Sequence, residues 1–308
     1  MAEDNSNKKT DIQTAELSPG QFENILNFRD VGKTINGILG EKRMIEGKLF
    51  RSARPDDATF SDRERLRDEY GIKTIIDLRT VTEHANQAKK REGDLQIPAL
   101  VKSNAALAEP LKIPGIKYLE ININGKGFER SLLWKLSYWS FTKLIVLMIF
   151  GYRMQAISIL GREVMQPRGL VGLGFDSIDY CGPEIADALR EFSNPASAPI
   201  LTHCTQGKDR TGLLIALILF LIKVPIPAIT HDYILSETEL FPERESRLVE
   251  IRSIGLTEDF AGCPKEWIEE IEKHLEEKYG GVRQYCRGIG FMEVDEERLI
   301  SGLIGRTI

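Results

Sequence analysis

The sequence predicts an α/β fold with a central, mostly parallel sheet flanked by helices. Three observations predict it. Short β-rich runs such as KTIIDLRT (Lys73–Thr80) and PILTH (Pro199–His203) alternate with longer helical stretches. With 308 residues, 42% of them hydrophobic, the chain can bury a sizeable core. The strand at 199–203 also leads through a short polar loop into an unbroken apolar run, Gly212–Ile222, the strand–loop–helix order of such sheets.

The elements follow in order. Residues 1–21 are polar, with no cationic start and apolar stretch, and read as a disordered tail ahead of one domain, 22–308. QFENILNFRDVG leads into a Gly-rich turn region, and Lys48–Arg51 reads as a strand. SDRERLRDEY (Ser61–Tyr70) is a charged helix capped by Ser61 and stopped by Gly71. Lys73–Thr80 is a central strand, 95–111 is irregular, and Ile116–Ile123 is another strand. From about 130 to 168 the chain reads as a helical insertion rich in aromatics, punctuated by Gly151 and Gly161. Its simplest reading is a pair of buried helices; the sharper one is a lid over the active site or a membrane-surface patch. Asp176–Phe192 is a helix ended by NPASAP, and Thr211–Ile222 a buried helix. Pro225 and Pro227 mark a loop, followed by helices over Ile229–Glu237, Pro242–Ser253 and Lys265–Tyr279.

The net charge of -5 gives no general attraction for nucleic acid, so an anion site must be a local cluster of basic residues. Cys181, Cys204, Cys263 and Cys286 form no C-x-x-C pair and have no ligand spacing with the four histidines; no metal or other cofactor is expected. Few scattered cysteines and no signal peptide predict a reduced setting, cytoplasmic or nuclear. No transmembrane segment is expected: the run at 212–222 is too short, and Lys135 and Lys143 interrupt Leu132–Tyr152.

The chemistry concentrates in LTHCTQGKDRTG (Leu201–Gly212). A loop between a strand's carboxyl end and a helix N-terminus can turn successive N–H groups onto an anion. Thr205, Gln206, Gly207 and Lys208 supply that nest, with Gly207 permitting close approach and Lys208 adding charge. Arg210 offers a planar fork for two phosphate oxygens. These features stabilise negative charge on Cys204 and set its sulfur for in-line attack at phosphorus. Thr211 can donate a hydrogen bond to the sulfur and ease its departure, while His203 orients the loop.

H-C-x-x-G-K-D-R-T-G resembles the phosphate loop of cysteine-dependent phosphatases, H-C-x5-R-[ST], in the version of the bacterial-type tyrosine/serine protein phosphatase family, which has many fungal members. NFRDVG (Asn27–Gly32), KLFRSARPDD (Lys48–Asp57), GIKTIIDLRTVTEH (Gly71–His84), HDYILSETEL (His231–Leu240) and KYGGVRQYCRGIGF (Lys278–Phe291) resemble its other segments, in its order, over roughly 22–304. The resemblance implies the tyrosine phosphatase fold and hydrolysis through a phosphocysteine. It points to Asp209 as the general acid, in the absence of a W-P-D segment. Asp77, at a strand end that the resemblance turns toward the loop, is the second candidate, and Asp30 a third. Asp30 and Arg79 also join the expected substrate-binding set. Each has a plainer reading: Asp209 paired with an arginine, Asp77 with Arg51 or Arg79, Asp30 holding a turn, and Arg79 paired with Glu83. Protein phosphotyrosine, with phosphoserine beside it, is the expected substrate. Phosphoinositides or inositol phosphates are the alternative, favoured by the extra cation Lys208 and by an insertion able to touch a membrane. A catalytically silent phosphate-binding module is the alternative of another class. Cys181 reads as an ordinary small helix residue ahead of a disulfide partner for Cys204.

Overall fold

A computed structural model of the chain describes residues 22–85, 87–88 and 112–304. The expected tail, 1–21, and the expected irregular segment, 95–111, lie outside the described residues.

Five strands form one sheet: β1 (Arg29–Asp30), β2 (Leu49–Ser52), β3 (Thr74–Asp77), β4 (Lys117–Glu120) and β5 (Ile200–His203), in the order β1-β2-β5-β3-β4. Only β1 runs antiparallel, against β2. Ser52, His203 and Asp77 stand in register across β2, β5 and β3. Three strands therefore end level, and the loop after His203 leaves from the middle of that edge, where ligand crevices form in such sheets. Every residue of β2, β3 and β5 is buried, as expected of strands covered on both faces.

The helices differ from expectation in instructive places. The supposed Gly-rich turn after β1 is helix α1 (Val31–Leu39), which buries Val31 and Ile35 and is capped by Asp30. Helix α2 (Phe60–Glu64) begins two residues earlier than expected: Thr59, not Ser61, is its cap, in a capping box with Asp62. A π-turn, Arg65–Glu69, carries it on toward Gly71. The insertion holds α3 (Lys126–Trp134), α4 (Tyr138–Ile149) and α5 (Arg153–Leu160). The reading of two buried helices fails here. Leu144 is the one buried residue of α4, and it meets Ala156 and Ile159 in a small cluster separate from the main core.

The helix expected over 176–192 is two, α6 (Gln166–Tyr180) and α7 (Gly182–Phe192), parted at Cys181. Pro183 starts the second because it lacks the N–H that would continue the first. After β5 comes α8 (Asp209–Leu221), buried without a gap from Thr211 to Leu221. Pro225 and Pro227 do not make a loop. Pro225 is the N-cap of α9 (Ile226–Glu239) and Pro227 lies in its first turn, where proline costs little. Then follow α10 (Arg244–Ser253), α11 (Trp267–Tyr279), α12 (Val282–Gly288) and α13 (Glu293–Ile304). The last two were not anticipated; Tyr285, Cys286, Leu299 and Leu303 bring them into the core around α8. No helix among the described residues is long and apolar enough to cross a membrane.

Candidate active site

Cys204 follows β5 directly and is buried, 3% exposed. The loop from Thr205 to Lys208 then turns into α8. Gly207 takes φ +65°, and a Cβ there would sit 1.9 Å from the Ser52 carbonyl oxygen, so no larger residue fits without moving the strand.

The outer side of the loop is tied to the rest of the protein by its carbonyls. The Arg54 amide donates to Thr205 O (3.1 Å). Asn27 Nδ2 donates to Gln206 O (2.9 Å) and Gly207 O (3.2 Å), and Arg51 Nη2 to Gly207 O (2.7 Å). Carbonyl and amide of one peptide point in opposite directions. The N–H groups of Gln206, Gly207 and Lys208 are therefore turned the other way, and no acceptor among the described residues pairs with them. Successive N–H groups turned to one side have the geometry of a nest.

Behind the carbonyls lies a buried ionic cluster. Asp232 accepts from Arg29 Nε (2.7 Å) and Arg51 Nη1 (2.5 Å), and Ser236 Oγ accepts from Arg29 Nη2 (3.0 Å). Arg51 is wholly buried, and that burial, followed by repulsion from Arg29, lowers its pKa to about 10 against the pull of Asp232. The segments NFRDVG, KLFRSARPDD and HDYILSETEL thus meet on one task, holding the phosphate loop from behind.

Arg210 is held by Glu83 through two hydrogen bonds, 2.7 and 2.6 Å, and donates to Leu78 O (3.2 Å). Burial disfavours charge on both, but the pairing dominates: Arg210 is pushed above, and Glu83 below, its usual range. Glu83 also accepts from Thr205 Oγ1 and from the amide and hydroxyl of Thr80. Glu83 therefore does not pair with Arg79. Its role went unread in the sequence because its partners lie 122 and 127 residues away.

Asp77 pairs with Arg79, its plainer reading, at the strand end in register with His203. Arg79 is buried between Asp77 (2.7 Å) and Asp56 (2.5 Å), with no fork left for a ligand. Burial opposes ionisation of Asp77, but His203, Arg79 and His84 outweigh it and lower its pKa to about 2. His203 Nδ1 donates to the Cys204 carbonyl (3.0 Å), and its burial lowers its own pKa. Asp30 is a helix cap that accepts from the amides of Lys33 (3.2 Å) and Gly47 (2.5 Å), the turn-holding reading.

Lys208 departs furthest from expectation. It has no exposed surface, and its ammonium donates to Phe260 O (3.1 Å) and Gly262 O (2.7 Å). It pins the loop to the Glu258–Ala261 turn instead of presenting a free cation. Asp209, beside it, has a side chain 40% exposed and lies 3.6 Å from that ammonium, with a buried Oδ1 that makes no hydrogen bond. The Thr211 hydroxyl, one residue beyond Arg210, is buried and likewise lacks a partner. Gln206 is buried. Cys181 contacts Asn124 (3.9 Å), and burial pushes its thiol up to about 11, which suits a packed thiol. Among the described residues no cluster of His, Cys, Asp and Glu could hold a metal.

A model of the tyrosine phosphatase family matches residues 20–155 and 164–305. The chain is 29% identical over 307 residues to the triple specificity protein phosphatase PtpB of Mycobacterium tuberculosis, covering 91% of this chain and 96% of that one. It is 32% identical over 162 residues to a tyrosine-protein phosphatase of Nostoc commune, covering 47% of this chain and 55% of that protein. The family match takes in the loop, the ionic cluster behind it and the glutamate that holds Arg210, and the chain belongs to the tyrosine phosphatase family.

Proposed function

We propose that the protein hydrolyses protein phosphotyrosine, and phosphoserine at a lower rate, through a phosphocysteine on Cys204. The observation that supports this reading is that three carbonyls of the loop directly after Cys204 are tied to the rest of the protein, so the N–H groups of the same peptides turn to the opposite side, free to hold an anion. The Arg210 fork, oriented by Glu83, completes the grip on the equatorial oxygens.

In the first step the sulfur attacks phosphorus, the bond from phosphorus to the substrate oxygen breaks, and that oxygen takes a proton from Asp209. In the second, water attacks phosphorus, Asp209 takes a proton from it, and the P–S bond breaks to release phosphate and thiolate. Thr211, with a free hydroxyl one residue past Arg210, donates to the departing sulfur. Asp209 is favoured as the acid over Asp77. A carboxyl held at about 2 by His203, Arg79 and His84, against its burial, carries no proton to give near neutral pH. Asp77 instead steadies the strand edge under the loop. Lys208, committed to two carbonyls, does not present the free cation that favoured inositol phosphates. A thiolate mechanism needs Cys204 reduced, which suits a cytoplasmic setting.

The test compares wild type and Cys204→Ser, under reducing conditions, on phosphotyrosyl and phosphoseryl peptides, phosphoinositides and soluble inositol phosphates. Turnover of the peptides, lost by about 10⁴-fold or more in Cys204→Ser, is expected. Equal turnover by the variant overturns the mechanism, and turnover confined to inositol compounds overturns the substrate class. Asp209→Ala should lose about 10²-fold or more on alkyl phosphates, little on good aryl leaving groups, and the basic limb of its pH profile. If Asp77→Asn shows that pattern instead, Asp77 is the acid.

A further inference from the structure

We propose that the outer face of α3 and α4 docks on an anionic lipid bilayer. A helix that is apolar nearly all round normally lies in a core. Helix α4 does not: Ile145, Val146, Met148 and Ile149 are exposed, and the chain at its end exposes Phe150 as well. Trp134, Tyr138 and Trp139 stand 77–81% exposed at its start. Such a contiguous apolar surface marks an interaction site.

The chemistry of the surface selects the partner. Trp and Tyr favour the headgroup level of a bilayer, with aliphatic side chains below them, and α4 presents both kinds. Lys126, Arg130, Lys135, Lys143 and Arg153 face a single acid, Glu129, between residues 126 and 153, a local charge of +4 in a chain of -5. Lys135 bridges to Asp176 (3.2 Å), but Lys126, Arg130 and Lys143 are exposed beside the aromatics. Arg130, Trp134, Lys135 and Tyr180 also line a shallow recess, a cationic cup at the rim of the patch. A second copy seated face to face would set like charge against like charge, which disfavours a symmetric dimer through this surface. An anionic bilayer satisfies both the apolar and the cationic parts. Since α4 has twelve residues it lies along the interface and does not span it.

The surface is mechanically close to the catalytic loop. Arg153 Nη2 lies 3.5 Å from Thr82 Oγ1, next in sequence to the Glu83 that holds Arg210. Docking through α4 therefore tethers the phosphate loop at the membrane. The inference does not depend on the substrate, because vesicle binding is read without turnover.

The experiment is sedimentation of the full chain with phosphatidylcholine vesicles, with and without about one-third phosphatidylserine. Binding to the anionic vesicles at least about tenfold above the neutral ones is expected, weakening as salt rises. The variant Trp139→Ala/Ile149→Ala/Phe150→Ala should lose about tenfold or more. The variant Lys126→Glu/Arg130→Glu/Lys143→Glu should lose the preference for anionic lipid. Both should keep the wild-type melting temperature and hydrolysis of a soluble aryl phosphate. Absence of vesicle binding overturns the proposal, as does binding that neither variant changes or that neutral vesicles support equally. Without vesicle binding, a wild-type dimer dispersed by the apolar variant would assign the face to a second copy. A rise in turnover of the soluble substrate in that variant would assign it to a closing lid.

Discussion

Lys208 and Asp209 are neighbours in the chain with opposite surroundings. The lysine turns inward to two carbonyls and the aspartate keeps a partly exposed carboxyl, so Arg210 is the loop side chain left to grip phosphate. Asp77 illustrates how pairing decides the chemistry of a carboxylate. Burial disfavours its charge, yet His203, Arg79 and His84 hold its pKa at about 2, below the ordinary range. A depressed folded-state pKa adds stability that is complete above the unfolded value, near pH 4, and is lost as pH falls through the folded one. The loss therefore falls between about pH 4 and pH 2, and a shift of this size corresponds to about 2 kcal/mol. Urea denaturation across pH should find Asp77→Asn less stable by about 2 kcal/mol at neutral pH, with a flatter acid limb than wild type. An unchanged acid limb would mean that Arg79 does not hold Asp77 in solution.

At the scale of elements, β5, the loop and α8 act as one unit. Gly207 is where that unit meets β2: its φ of +65° and the 1.9 Å approach of a Cβ to Ser52 O leave no room for a side chain. Gly207→Ala should cost about 2 kcal/mol or more in stability and about 10²-fold in kcat/KM, because the nest must open to admit the methyl group. Gly37→Ala is the control. It lies inside α1 with nothing within 4 Å of the added Cβ, and should be neutral or stabilising by up to about 1 kcal/mol. Thermal melts and peptide hydrolysis separate the two variants. Strands β2, β3 and β5 were legible because each is a short buried run bounded by turn residues; the two-residue β1 was not. Helix α1 was not, since Gly32 and Gly37 disguise a helix whose inward face rests on Val31 and Ile35. The break at Cys181 was missed because Gly182–Pro183 interrupts an otherwise continuous helical pattern.

At the scale of the molecule, two polar assemblies hold the site. Asp232 with Arg29 and Arg51 supports the loop from behind, and Glu83 holds Arg210 from the side. Helix α3 joins the main core through Phe128 and Leu132, whereas α4 packs only into the small cluster around Leu144 and leaves an apolar face to solvent. The folded protein should therefore bind an anilinonaphthalene sulfonate dye under native conditions. Trp139→Ala/Ile149→Ala/Phe150→Ala should cut that fluorescence by about half or more without changing the melting temperature. Wild type that fails to enhance the dye would mean that the face is covered in solution.

The sequence by itself determined the strand–loop–helix unit that carries Cys204 and Arg210, because Cys204 to Thr211 are contiguous and the unit is local. It also ordered the flanking segments that the family match spans. Tertiary structure decided which charges are spent on each other: Glu83 on Arg210, Asp77 on Arg79, Asp232 on Arg29 and Arg51, and Lys208 on two carbonyls. It also decided that α4 is exposed. The physical reason is that a side chain's role depends on what burial leaves within reach, and most of these partners are brought together from more than 50 residues apart.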